Sequence, residues 1–122
     1  GLEAFPNLSD TAAPLGIRAR AYLDVNCANC HQPNTEALGN LDLRAHIPLS
    51  GTGTCDVEPE EGNVGVWGAR ILKPGVPAES TLWLRTNTAD PDWRMPAIAT
   101  QQVHAEAVAI IGEWITSLTG CQ

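Results

Sequence analysis

The chain has 122 residues, of which 43% are hydrophobic and 17% are charged, a length and composition typical of one domain with a modest core. Its 7 Lys and Arg against 14 Asp and Glu give a formal net charge of −7, which excludes nucleic acid as a partner because phosphates would lack cations to neutralise them. No apolar stretch approaches the roughly 18 residues of a membrane helix, so we expect no integral membrane segment.

Residues 1–14 are predicted to form an irregular arm or linker before the domain. They contain Pro6 and Pro14 with polar residues between them, a composition that disfavours regular structure. The chain begins at Gly1 in the manner of a mature or excised segment. We therefore expect the domain itself to cover residues 15–122.

The first predicted helix covers residues 15–27. Its apolar side chains recur every four residues, and no proline interrupts them. The predicted buried stripe consists of Ile17, Ala21 and Val25, flanked by Tyr22 and Leu23.

The middle of the chain is predicted to be mostly loop. Glycines and prolines interrupt residues 33–66, and so long a loop in a small domain is explained if it wraps around a large ligand. Residues 66–72 are expected to form either a short helix or an irregular segment.

A further helix is predicted over residues 76–87, starting near Pro77. A proline-containing loop follows over residues 89–98. The inward side chains of this helix are predicted to be Leu82 and Trp83, with Leu84 as a third candidate.

The clearest predicted element is the last helix, over residues 101–118. Thr100 is its predicted N-cap and Gly120 its predicted stop. No segment shows the period-two alternation of a strand, so the fold class is predicted to be mainly α. The apolar positions of this helix are Val103, Ala107, Ile110, Ile111, Trp114, Ile115 and Leu118.

A cysteine-histidine motif follows the first helix, where residues 26–33 read NCANCHQP. Two cysteines two residues apart, with a histidine directly after the second, suit a zinc site, a redox dithiol or a covalently attached haem. A structural zinc needs a second close pair of ligands, and the remaining cysteines and histidines each stand alone. A thioredoxin-like dithiol expects a βαβ context, whereas this pair follows a helix in a chain without strand patterns.

Covalent haem attachment is therefore the preferred interpretation. Cys27 and Cys30 would form thioethers with the two vinyl groups of one haem c, and His31 would be an axial ligand of its iron. The other axial ligand is predicted to be Met95, the single methionine of the chain, because a neutral thioether is a soft ligand that favours ferrous iron.

Other assignments of the sixth ligand remain open at this point. Met95 could instead fill core space, as methionines commonly do. His46 and His104 are the competing ligands, although we expect each of them to be a surface or polar-contact residue.

With these features the sequence resembles the class I c-type cytochromes. The resemblance covers residues 15–119: a helix running into CANCH, a long middle, RMP with the distal methionine, and an amphipathic last helix ending IIGEWITSL. It implies a cytochrome c fold, in which four to five helices and long irregular loops surround one covalently bound haem. The stretch ARILKPGVPAESTLWLR before RMP is similar to cytochrome domains of bacterial exported oxidoreductases, some of them fused to a catalytic unit.

The resemblance also implies contacts inside the domain. In this family the first and last helices cross, so Ala19 and Leu23 would meet Trp114, Ile115 and Leu118. Family members anchor a haem propionate through Arg, Trp or backbone donors; simple exposure of the arginines and packing of the tryptophans are the alternatives. The candidates are Arg70, Arg85, Arg94, Trp67, Trp83 and Trp93, of which Arg70, Arg94 and Trp67 are the predicted cofactor-binding residues.

The implied function is electron transfer without enzymatic catalysis, since both axial positions of the iron would be filled. The expected partner is a redox protein or a fused catalytic domain that docks weakly on a monomer, in the periplasm or otherwise exported. A haem-based sensor or peroxidase-like enzyme with a displaceable sixth ligand is the alternative. A third possibility is a structural module whose haem serves only folding.

The cysteine count bears on the compartment. If the haem takes Cys27 and Cys30, then Cys55 and Cys121 remain. In an oxidising compartment this even remainder predicts one disulfide between them. Two free thiols are the alternative.

Overall fold

Three α-helices make up most of the regular structure in the part of the chain that the structure describes. The computed structural model describes residues 11–26, 41–59, 65–88 and 105–121. These residues form no strand, only two isolated bridges, so the mainly α class is confirmed for them. The described helices are also too short or too polar to span a bilayer. The helices are α1 (Leu15–Asn26), α2 (Thr81–Thr86) and α3 (Ala105–Ser117), with short 3-10 helices at Leu49–Gly51 and Pro77–Glu79.

The extent of α1 agrees with the prediction to within one residue, but its buried face differs. Ala19 and Leu23 are almost fully buried and Ala21 is buried beside them, whereas Ile17 is 54% exposed. The predicted stripe is therefore wrong at Ile17. The helix instead buries the neighbouring stripe of Ala19 and Leu23, because that is the face against which α3 packs.

The buried face of α3 agrees with the prediction. Its buried residues lie on one side of the helix, because they follow one another at intervals of four, three and one residues. They are Ala107, Ile111, Trp114 and Ile115. The helix ends at Ser117, three residues before the predicted stop at Gly120. Its predicted beginning at residues 100–104 lies outside the described residues.

One hydrophobic cluster joins α1 to α3 and to the loops between them. The predicted meeting of Ala19 and Leu23 with the last helix is confirmed, since they share this cluster and Leu118 packs against it. At the start of α1, a Cβ atom built on Gly16 would make an ordinary van der Waals contact with the indole of Trp114, 3.4 Å from its Nε1 atom. The cluster consists of Ala19, Leu23, Leu49, Leu72, Ile111, Trp114 and Ile115.

The helix predicted over residues 76–87 is interrupted at Ser80. This residue has an extended backbone (φ −109°, ψ 112°), so a 3-10 helix ends before it and α2 begins after it. Its buried hydroxyl donates to the carbonyl oxygen of Val76 at 2.9 Å and accepts from the amide of Lys73 at 2.8 Å. The break is thus held by hydrogen bonds that the helical periodicity does not reveal. Leu82 and Trp83 pack against the core cluster as predicted.

Residues 66–72 are irregular, which is one of the two predicted outcomes. Their last part pairs with residues 54–57: the amide of Leu72 donates to Thr54 at 3.0 Å, and that of Ile71 to Val57 at 2.8 Å. Close to this pairing, the Sγ atoms of Cys55 and Cys121 lie 2.05 Å apart, the distance of a disulfide bond. The two cysteines are 66 residues apart in the sequence, so this link ties the end of the chain to its middle.

Candidate functional site

The residues predicted to attach a haem and ligate its iron lie outside the described residues. Cys27, Cys30 and His31 belong to the segment 27–40, and Arg94 and Met95 to the segment 89–104. The structure does describe the flanks of both segments: the first directly follows α1, and the second connects the chain after α2 to α3.

The chain returns to α1 immediately after the segment 27–40, and two charged side chains of α1 hold it there. The Nη2 atom of Arg20 donates to the carbonyl oxygens of Arg44 at 2.8 Å and Ile47 at 2.7 Å. One turn later, Oδ2 of Asp24 accepts from the amide of Ala45 at 2.7 Å. The loop that follows the segment 27–40 is therefore attached to the helix that precedes this segment.

We call this pair, Arg20 and Asp24, the α1 clamp; no motif in the sequence predicts it. The available signal is two opposite charges four residues apart on a helix, a pattern that is more often a solvated surface pair. Here both side chains point at backbone groups of a loop 20 or more residues away. Sequence spacing within one helix does not contain that information.

Burial and charge oppose each other at Arg20. Burial lowers the pKa of its guanidinium, while the negative charges of Asp24 and Asp42 raise it. Its Nε atom is buried and has no hydrogen-bond partner. The loop contributes its own ion pair: Arg44 donates to both carboxylate oxygens of Asp42, at 2.9 and 2.7 Å, which lowers the pKa of Asp42.

The two competing histidine ligands are only partly located. His46 is exposed in the held loop, in agreement with the expectation of a surface histidine. His104 lies outside the described residues. Among the described residues, no group of three or more His, Cys, Asp or Glu side chains could hold a metal ion.

Arg70, a predicted cofactor-binding residue, is engaged with two carboxylates. Its Nε atom lies 3.7 Å from Oδ1 of Asp56, and Nη1 lies 4.0 Å from Oε1 of Glu58. Both separations are long, and both carboxylates are well exposed, so these pairs contribute little to stability. The Nη1 atom also donates to the carbonyl oxygen of Ala69 at 3.3 Å.

Trp67, the second described candidate, lies on a surface turn and is 92% exposed. Gly65 and Gly68 flank it with φ near +80°, a backbone region that favours glycine. The base of the turn is rigid: Ala69 is buried, and the backbone of Arg70 pairs with that of Glu79 and Thr81. The structure thus presents this indole outward from a fixed support.

Trp83 is already hydrogen-bonded within the protein. Its Nε1–H donates to the carbonyl oxygen of Val108 at 2.9 Å, so it is not free to bind a propionate. Beside it, α2 and α3 border an open groove of about 550 Å³ whose floor includes Gly112. Trp93, the remaining indole candidate, lies outside the described residues.

No protein-family model matches this chain, and no curated protein or solved structure is significantly similar to it.

Proposed function

We propose that this protein transfers electrons through one covalently attached haem c. The observation that carries the proposal is the CANCH motif, placed directly after a helix that packs against the last helix of the chain. A helix with this partner and this motif at its end is what the class I c-type cytochromes share. Met95 in the sequence RMP supplies a second axial donor of the expected chemistry.

The four candidate donors, two cysteines, a histidine and a methionine, suit a covalently attached haem better than a site that binds a metal ion alone. Cys27 and Cys30 would hold the haem as thioethers, and His31 and Met95 would ligate the iron. Arg70 and Arg94 are the proposed cations for the propionates, and the long separations of Arg70 from Asp56 and Glu58 are compatible with this role. The α1 clamp supports the proposal because it holds the loop after the segment 27–40 against the helix that precedes this segment.

When bound, the haem supplies one-electron chemistry through the Fe(III)/Fe(II) couple of its iron. His31 and Met95 together would leave no coordination position for a substrate, so we propose electron transfer and not enzymatic catalysis. The linked pair Cys55 and Cys121 supports an oxidising compartment, and we propose that the protein is periplasmic or otherwise exported. Its partner would be a redox protein or a fused catalytic domain.

The test is spectroscopic. The protein is produced in a host that attaches haem to cytochromes c, and the haem is expected to remain bound after denaturation. Replacing Cys27 and Cys30 with Ala should release it under the same conditions. Oxidised protein should show the long-wavelength charge-transfer band of a thioether bound to iron, and Met95→Ala should remove this band and open the iron to CO.

Two results would contradict the proposal. Protein that carries no haem in such a host would exclude it altogether. A haem protein that lacks the thioether band and binds CO rapidly without any mutation would instead be a sensor or a peroxidase-like enzyme.

A further inference from the structure

The turn that carries Trp67 is the most exposed large apolar feature of the described residues. Ile17 and Val57 are the other large apolar side chains exposed there, at 54% and 40%, against 92% for Trp67. A tryptophan buries 150–250 Å² when it packs, so leaving one in water forgoes a large stabilisation. Such a side chain on a rigid support is typical of a binding surface.

Two carboxylates lie at the base of the turn that carries this indole, within 4.0 Å of the guanidinium of Arg70. Three residues after Trp67, Arg70 pairs with Asp56 and Glu58, whose side chains are 68% and 84% exposed. Val57 lies between those two acids, and its carbonyl oxygen accepts from the amide of Ile71. We call this set the Trp67 patch; it consists of Asp56, Val57, Glu58 and Trp67.

We propose that the Trp67 patch is the docking surface for a redox partner whose contact face has an apolar centre and a basic rim. The inference rests on the proposed electron-transfer function and names the kind of partner that function would use. The indole would enter the apolar centre of the partner, and Asp56 and Glu58 would face its lysines or arginines.

Charge selects this partner over the other occupants of an apolar patch. A second copy of the chain also carries a net charge of −7, so self-association would bring like charges together. An anionic lipid surface would repel Asp56 and Glu58 in the same way. A basic protein would be attracted to them, and it would be attracted more strongly at low ionic strength.

The experiment measures electron exchange between the holoprotein and mitochondrial cytochrome c, a small basic redox protein, by stopped-flow spectroscopy. One of the two proteins loses one electron and the other gains it, in the direction that the two potentials favour. Trp67→Ala is expected to lower the second-order rate constant about tenfold, in keeping with the loss of one interfacial tryptophan. The matched control Ile17→Ala, an exposed apolar residue on α1, should leave it unchanged.

The charge part of the proposal has its own pair of variants. Glu58→Gln should lower the rate constant about twofold at low ionic strength and not at high ionic strength, since salt screens the attraction. Glu113→Gln, which removes an exposed carboxylate from α3, should have a smaller effect. Equal effects of the two variants would overturn the assignment of the basic rim to this patch.

A second electron acceptor separates failure of the docking proposal from failure of the proposed function. Ferricyanide is a small anionic acceptor that the carboxylates of the patch would not attract, so the unmodified protein should reduce it whether or not the patch is a docking surface. No electron exchange with either acceptor would remove the proposed function itself. Exchange with both acceptors, unaffected by Trp67→Ala, would overturn the docking proposal alone.

Two further outcomes would also overturn it. A changed haem spectrum in Trp67→Ala would assign the indole to haem binding, as the sequence predicts. A concentration-dependent dimer in sedimentation, lost in Trp67→Ala, would assign the patch to a second copy of the chain.

Discussion

At position 112 the absence of a side chain lets α3 approach the indole of Trp83. A Cβ atom built there would lie 3.0 Å from Nε1 of Trp83, the same atom that donates to Val108. Gly within a helix ordinarily costs stability relative to Ala. At this position an alanine would not fit without a shift, because the indole ring of Trp83 occupies the space that a methyl group would need.

Gly112→Ala should therefore have opposite effects in two backgrounds. In the unmodified chain we expect a loss of about 1 kcal/mol, because an overpacking penalty of about 2 kcal/mol exceeds a gain in helix propensity of about 1 kcal/mol. In the Trp83→Phe background, which lacks the Nε1 atom, the same substitution should stabilise by about 1 kcal/mol. Chemical denaturation of the four proteins measures the coupling, and equal effects in both backgrounds would show that the contact does not matter.

At the scale of elements, the α1 clamp decides where the loop after the cysteine-histidine segment lies. The carbonyl oxygens of Arg44 and Ile47 and the amide of Ala45 are all satisfied by the two clamp side chains. Hydrogen bonds to charged groups contribute more to stability than bonds between neutral groups do. Removing the charged partner also leaves a backbone group without a hydrogen bond, which is costly. The loop is therefore attached to α1 by side chains rather than by a backbone ladder.

Removing one clamp residue should release its own amide selectively. In Asp24→Ala we expect the hydrogen-exchange protection of the Ala45 amide to fall about tenfold, equivalent to about 1.4 kcal/mol. Asp24→Asn keeps an acceptor oxygen and should retain most of this protection. The amide of Leu72, which donates to Thr54, is the internal reference. An equal loss of protection at Leu72 would mean that the whole molecule is destabilised and that the clamp has no local role.

At the scale of the whole molecule, the link between Cys55 and Cys121 closes most of the described structure into one loop. It joins the segment that pairs with Leu72 to the residues after α3. A cross-link restricts the unfolded chain, and more so when the loop is long. Most residues of the core cluster lie within this loop. Only the α1 residues of the cluster and Leu49 precede Cys55 in the sequence.

Replacing both Cys55 and Cys121 with Ala should lower the free energy of unfolding by roughly 2–4 kcal/mol, near the chain-entropy value for a loop of this length. The midpoint of denaturant unfolding measures the change. Adding a reductant should lower the midpoint of the unmodified protein and leave that of the double variant where it is. An unmodified protein that is insensitive to reductant, with two thiols open to alkylation, would show that the pair is not bonded.

The sequence by itself determines the extent of α1 and the buried face of α3. The apolar residues of α3 lie on one side, with Ala107, Ile111 and Trp114 at helical spacing, so only one face can enter a core. The extent of α1 is also predicted by the sequence, because no proline interrupts it and its apolar residues continue to Val25, one residue before the helix ends. The proposed haem-attachment motif and the proposed iron ligands rest on the sequence alone, since they lie outside the described residues.

The tertiary structure alone decides which face of α1 is buried, where the chain after Pro77 breaks and what the α1 clamp holds. Apolar residues lie on several sides of α1, so its own pattern does not choose between Ile17 and Ala19; contact with α3 does. The break at Ser80 depends on acceptors and donors supplied by Lys73 and Val76. These features depend on contacts with residues distant in the sequence, or on polar hydrogen bonds that the spacing of apolar residues does not reveal. For that reason the local sequence pattern cannot predict them.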